Sequence, residues 1–182
     1  MAPRQGGLDS RRTPPGEALV ATVYVSLGSN VGDRADFVTR AIVKLSKHPQ
    51  MEVRSHSELY ETEPLEMPDQ EWFVNAVVRI ETPLAPMSLL DALQGLEAEM
   101  QREQTVTWGP RAIDLDILLY DDLLVAEPRL MIPHIRMHDR AFVLVPLAEI
   151  APDATHPILG LSVQDMLAGL KTATVVRPLA HS

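Results

Sequence analysis

Residues 113–120 read Ile-Asp-Leu-Asp-Ile-Leu-Leu-Tyr, an apolar run interrupted only by two carboxylates one residue apart. A β-strand alternates its faces, so Asp114 and Asp116 point one way while Ile113, Leu115 and Ile117 point the other. Two carboxylates raised side by side from a strand that buries its opposite face repel each other and lose hydration, unless a cation neutralises them. Mg²⁺ suits such oxygen ligands and is commonly held by one or two carboxylates together with substrate phosphates. Paired acids also occur on solvated strand faces and in turns, but the flanks favour a metal-nucleotide site. Gly109-Pro110 supplies turn chemistry just before the strand, and Arg111 brings a permanent cation with a bidentate fork, which suits a phosphate.

The chain has 182 residues, enough for one domain with a proper core and too few for two typical ones. The absence of cysteine excludes disulfides, thiolate metal sites and thiol nucleophiles, and is compatible with a reducing cytoplasm. A formal charge of −9 argues against a general nucleic-acid binder. The charge is uneven, however: the stretch from Arg129 to Arg140 holds three arginines and two histidines against a single acid, Asp139. A local cationic segment on an acidic protein suits a small polyanion. Residues 1–17, rich in Pro, Gly and Arg, read as a flexible tail before a single domain over 18–182. No apolar run approaches the length of a membrane span. The apolar stretch from Ala18 to Leu27 runs into Gly28-Ser29-Asn30-Val31-Gly32-Asp33 and reads as a buried first strand rather than a secretory leader.

Val20 to Leu27 is β-rich and closes on that glycine-containing turn. Phe37, Ala41 and Leu45, with Val38 and Ile42 alongside, then repeat at helical spacing until Pro49. Met51 to Tyr60 is expected to be extended, followed by a loop and a strand from Trp72 to Glu81. In that strand Trp72, Val74, Ala76, Val78 and Ile80 are expected to face the core, with Phe73 and Asn75 opposite, where an aromatic beside an amide suits a flat hydrogen-bonding heterocycle. Pro86 opens a helix with the apolar stripe Leu89, Leu93, Leu96 and Met100, and Gln94, Glu97 and Gln101 on a neighbouring face. Strand, helix, strand, strand, helix, strand is the ferredoxin-like βαββαβ order, an α+β fold with an antiparallel sheet and helices on one face. A short helix through Phe142 to Leu147, another near Val163 to Leu170 and a terminal extended segment read as C-terminal additions.

Together these motifs resemble the 6-hydroxymethyl-7,8-dihydropterin pyrophosphokinase family of folate biosynthesis. The resemblance rests on Ser26 to Asp33, Tyr60 to Leu65, Phe73 to Val77, Trp108 to Leu118, and Ile132 through His134 and Arg140 to Leu147. It implies transfer of pyrophosphate from ATP to the hydroxymethyl group of the dihydropterin, with release of AMP. It implies that Asp114 and Asp116 hold two Mg²⁺ ions bridging the ATP phosphates, with Arg102 and Arg111 as further catalytic groups. Gln94, Glu97, Trp108, Arg111, Ile117, Arg129, His134 and Arg140 match the nucleotide side. Phe73 and Phe142 match an aromatic sandwich around the pterin, with Asn75, Thr62, Pro64 and Leu65 at its edge. The sequence departs from the family pattern at Gln104 and Thr107, within the connection from Arg102 to Ala112 that is the expected lid. Phosphoryl-type transfer relies on positioning and charge neutralisation, so no protein nucleophile is required. The expected partners are ATP and the dihydropterin, with neither nucleic acid nor membrane, for a cytoplasmic monomer. The rival outside enzymes is a ferredoxin-like regulatory module that binds nucleotide without chemistry. A nucleotidyltransferase is disfavoured because Gly28-Ser29 lies more than eighty residues before Asp114.

Overall fold

A computed structural model describes residues 19–64, 71–102, 112–171 and 174–180. The first strand, β1 (Ala21–Ser29), leads into helix α1 (Arg34–Lys47). Asp33 caps that helix, its carboxylate accepting from the Asp36 N–H at 3.0 Å, which satisfies one of the amides left free at a helix start. The turn before it uses Gly32 at φ +56°, a left-handed conformation that glycine adopts without steric cost. The helix ends at His48, the residue before Pro49, in extended conformation, as the steric demand of a following proline dictates.

The expected extended segment after Pro49 is two strands, β2 (Glu52–His56) and β3 (Tyr60–Thr62), both antiparallel to β4 (Phe73–Thr82). The break is at Ser57, which is buried and gives its own N–H to Val77 O while its hydroxyl accepts from Val77 N. Helix α2 (Pro86–Arg102) starts on proline, whose missing N–H costs nothing there, and returns the chain to β5 (Asp114–Tyr120). A small hairpin follows, β6 (Val125–Glu127) with β7 (Leu130–Ile132), then helices α3 (Ala141–Ile150) and α4 (Val163–Ala168) and a last strand β8 (Val176–Pro178). The sheet order is β5-β1-β4-β3-β8, with β2 beside β4, and every pairing is antiparallel. This is the ferredoxin-like arrangement, extended at one edge by β8.

Two cores lie on opposite faces of this sheet. Val23, Val25 and Leu27 of β1, Val74, Ala76, Val78 and Ile80 of β4, and Leu115 and Ile117 of β5 pack against α1 and α2. The expectation of helices on one face holds only for these two. Val77, Leu118 and Leu119 face a second core formed with α3 and α4, so the C-terminal helices cover much of the face a bare βαββαβ unit leaves open. The alternation in β5 shifts at Leu118: Val25 pairs with Ile117 and Tyr24 with Leu119, leaving Leu118 as an extra residue. Such a bulge lets Leu118 and Leu119 enter the same core. Trp72, expected in the first core, is half-buried just before β4 with the Arg177 guanidinium 4.7 Å from its ring centroid.

Leu45 of α1 is fully buried in the first core, far from the open part of the sheet. We predict that Leu45→Ala costs about 3 kcal/mol through lost burial and the cavity it leaves. Urea unfolding checks it: the midpoint should fall with an unchanged slope, and substrate affinities should stay at wild-type values.

Candidate active site

The part of the second face that α3 and α4 leave open carries a cavity of about 290 Å³. Its floor comes from three adjacent strands: Ser26 and Gly28 from β1, Phe73 and Asn75 from β4, Asp114 and Asp116 from β5. Strand register puts them in rows, since Gly28 is the Cα partner of both Asn75 and Asp114, and Ser26 is the partner of Asp116. Glu63 and Pro64, just past β3, form one wall, and Arg136, Arg140 and Phe142 form another.

The two acids therefore share a face, as the alternation of the strand requires, while Leu115 between them belongs to the helix-covered core. Asp116 is exposed and Asp114 half-buried. Among the described residues no group of three or more His, Asp or Glu side chains forms a metal cage. Two carboxylates facing a cavity are nevertheless the donor set expected of Mg²⁺, which keeps waters and takes its remaining ligands from substrate phosphates. The residues present thus fit the ion.

Asn75 is almost wholly buried and its amide donates to the Thr62 hydroxyl at 2.9 Å. That bond fixes the amide plane, and the hydroxyl of Thr62 acts through Asn75. The other side of the amide lies against Gly28, where an added Cβ would sit 2.9 Å from Asn75 Oδ1. Gly28 is not a turn residue as the sequence suggests but a strand residue, and its lack of a side chain is what lets the amide lie flat over β1. β3 is held from the other side by Tyr60, whose hydroxyl donates to Glu149 of α3 at 2.8 Å. Burial and the Glu149 carboxylate push that hydroxyl up to about 12, so Tyr60 stays protonated and donating at neutral pH.

On the opposite wall Arg140 lies with its guanidinium 5.5 Å from the Phe142 ring centroid, a cation–π geometry that steadies both. Arg136 faces the cavity too, bonded through its side chain to Asp139 at 3.3 Å. Sequence reasoning missed Arg136, Ser26 and Glu63 as lining residues. The surplus of arginine between 129 and 140 was the available signal for Arg136. His134 is half-buried, its backbone N–H bonded to Leu118 O at 2.9 Å and its Nδ1 accepting from Arg136 N at 3.2 Å. Burial pushes its imidazole below the usual histidine range, against the pull of Asp116. Because Nδ1 accepts from a backbone amide, the neutral ring carries its proton on Nε2.

Ile117, Gln94, Glu97 and Arg129, like His134, are not among the residues that line the cavity. Ile117 turns its side chain into the core and is 3% exposed, because it alternates with Asp116, so only its main chain is left to meet a ligand. Gln94 and Glu97 stitch α2 to its neighbours. Glu97 Oε1 accepts from the Leu115 N–H at 2.6 Å, and Gln94 Oε1 accepts from Arg129 at 2.9 Å. With Gln101 accepting from Ala112 N at 2.9 Å, this polar face occupies amides of an edge strand that would otherwise be open. Arg129 is exposed and also paired with Asp91 at 2.8 Å. Arg102 is exposed at the end of α2 and does not line the cavity. Leu65, Trp108 and Arg111, and nearly all of the expected lid with Gln104 and Thr107, lie outside the described residues.

Residues 24–152 match the family described as 7,8-dihydro-6-hydroxymethylpterin-pyrophosphokinase (HPPK). The chain belongs to this family. Among similar HPPK proteins, the 2-amino-4-hydroxy-6-hydroxymethyldihydropteridine pyrophosphokinase of Methylorubrum extorquens is 44% identical over 154 residues, covering 85% of this chain and 96% of the relative. The enzyme of the same name from Pseudomonas aeruginosa is 45% identical over 139 residues, 76% of this chain and 86% of its own length. The HPPK-DHPS protein of Plasmodium falciparum, solved with pterin and p-hydroxybenzoate, matches with a TM-score of 0.67 at 16% identity. That match covers 85% of this chain and 42% of the Plasmodium chain, and it establishes a shared HPPK fold. Among the described residues no helix is long and apolar enough to cross a membrane.

Proposed function

We infer that this chain transfers the pyrophosphoryl group of ATP to the hydroxymethyl oxygen of 6-hydroxymethyl-7,8-dihydropterin, giving AMP and the pterin diphosphate, a step of folate biosynthesis. The observation that carries the site assignment is that one cavity joins two aromatic rings and a locked amide to a pair of carboxylates. The pterin ring lies between Phe73 and Phe142, where offset stacking supplies contact area. Asn75 then reads the polar edge of the heterocycle, offering both a donor and an acceptor, and Pro64 bounds that edge.

Asp114 and Asp116 would hold Mg²⁺ with the ATP phosphates, and Mg²⁺ when bound neutralises charge on the phosphate oxygens and on the departing AMP. Arg136 and Arg140 reach the same cavity from the two ends of the short turn Met137–Asp139 that precedes α3, and their guanidinium donors suit phosphate oxygens. Arg102, Arg111, Trp108, Arg129 and His134 complete the nucleotide side in this reading. The hydroxymethyl oxygen attacks the β-phosphorus, the bond from that phosphorus to the bridging oxygen of the α-phosphate breaks, and the hydroxyl proton is lost to water. No protein nucleophile intervenes. The chain's residues orient the two substrates in line.

Incubation with Mg-ATP and the dihydropterin, followed by chromatography of nucleotides and pterins, tests the proposal. AMP and pterin diphosphate in equal amounts are expected, abolished by EDTA and restored by excess Mg²⁺. ADP would indicate transfer of a single phosphoryl group. Nucleotide binding without turnover would favour the regulatory-module alternative.

A further inference from the structure

On the face of the sheet opposite the cavity, the strand ends that carry the pterin-facing residues are held by two arginines. Glu61 sits one residue before Thr62, and Trp72 one residue before Phe73; Thr62 and Phe73 are themselves cross-strand partners. Because strand residues alternate, Glu61 and Trp72 point away from the cavity while Thr62 and Phe73 face it. Arg34, at the start of α1, spans this pair. Its Nη1 donates to the Trp72 carbonyl and its Nη2 lies 3.4 Å from Glu61 Oε1.

Arg177 of β8 spans the same pair from the other side. Its Nη2 and Nε donate to Glu61 Oε2 at 2.9 and 3.2 Å, and its guanidinium lies over the Trp72 ring. The strand that presents Arg177 is paired in register with β3, Glu61 opposite Arg177 and Thr62 opposite Val176. One residue further on, the Glu63 N–H donates to Val175 O at 3.1 Å. β8 lies beyond the stretch that matches the HPPK family, residues 24–152.

We propose that Arg177 is a positioning residue for the pterin: by tying Glu61 to Trp72 behind the sheet, it fixes the directions in which Thr62 and Phe73 leave their strands. Thr62 in turn fixes Asn75. The stacking ring and the edge-reading amide therefore depend on one clamp, while Asp114 and Asp116, on the far edge strand, do not. Exposed ion pairs by themselves contribute little. Arg177 is itself exposed, but Glu61 is only 16% exposed, and a guanidinium that gives two donors to one carboxylate oxygen while stacking on a ring holds geometry that a single charge does not. This inference rests on the pterin occupying the Phe73–Phe142 side of the cavity.

The test is steady-state kinetics of the full chain as Arg177→Met and Arg177→Lys, varying each substrate separately. Arg177→Met should raise KM for the dihydropterin roughly fivefold or more and leave KM for ATP within about twofold, the pattern of a lost ground-state contact confined to one substrate. Arg177→Lys, which keeps the charge but not the fork, should fall between Met and wild type. A dihydropterin KM unchanged in Arg177→Met, or equal rises in both KM values, would overturn the proposal. Wild-type turnover measured alongside separates this from the activity itself: if the wild type makes no pterin diphosphate, the reading beneath the proposal fails and the proposal with it.

Discussion

Asp114→Asn and Asp116→Asn are each expected to lower kcat/KM on the order of 10³-fold, because in the proposed reading each removes, at nearly constant side-chain volume, a carboxylate that holds Mg²⁺ against the transferring phosphates. The fold should survive. Both side chains face the cavity rather than the core, and Asp116 is exposed. Replacing the exposed Asp116 should leave the melting temperature within about 2 °C of wild type, as surface substitutions usually do. The Mg²⁺ dependence provides a second readout, since the residual activity of either variant should need a higher Mg²⁺ concentration for half saturation. Wild-type kcat/KM in both variants would remove these residues from the metal site.

The second large effect is expected at a residue with no side chain. Gly28→Ala places a Cβ 2.9 Å from Asn75 Oδ1, closer than a carbon and an oxygen can approach without one moving. β1 is a central strand, paired on both sides by β4 and β5, so the amide is what gives way. Turning it breaks the bond to Thr62 and misaligns the donor and acceptor offered to the heterocycle. A site built to hydrogen-bond its ligand rejects it strongly once the buried partners are mismatched. Dihydropterin affinity should therefore fall about 10²-fold, on the scale set for a misplaced substrate, with nucleotide affinity much less affected. Calorimetric titration of each ligand separately checks the split; equal losses for both, or none, would show that the Asn75 amide is not the pterin contact.

Much of this architecture could be read from the sequence where polarity alternates. Asp114 and Asp116 interrupt an aliphatic run, Val74, Ala76, Val78 and Ile80 mark one face of β4, and Leu89, Leu93 and Met100 mark one face of α2. Each pattern agrees with the observed burial. The misreadings fall where that contrast is missing. Ile117, Leu118 and Leu119 are all aliphatic, so the alternation that correctly turns Ile117 into the core gives no sign that the register slips one residue later, at Leu118. Trp72 fits the core period, but it precedes the strand and is covered by Arg177, a contact more than a hundred residues away in sequence. The hairpin of β6 and β7 has strands of three residues each, too short for a period to register. Gly28 reads as turn glycine until the register shows it between Asn75 and Asp114. The helical spacing of Gln94 and Glu97 shows that they share a face but not what they meet; their bonds are to Arg129 and the Leu115 amide, a pairing set by where α2 crosses β5.

The central claim is that the cavity places the β-phosphorus of ATP against the pterin hydroxymethyl group, and label transfer tests it most directly. ATP labelled at the α-phosphate and ATP labelled at the γ-phosphate are incubated separately with Mg²⁺ and the dihydropterin, and the label is followed into the products. The account predicts that all γ label in product migrates with the pterin and all α label with AMP. Label from the α-phosphate on the pterin, or α label recovered as ADP while the γ label moves to the pterin, would contradict it.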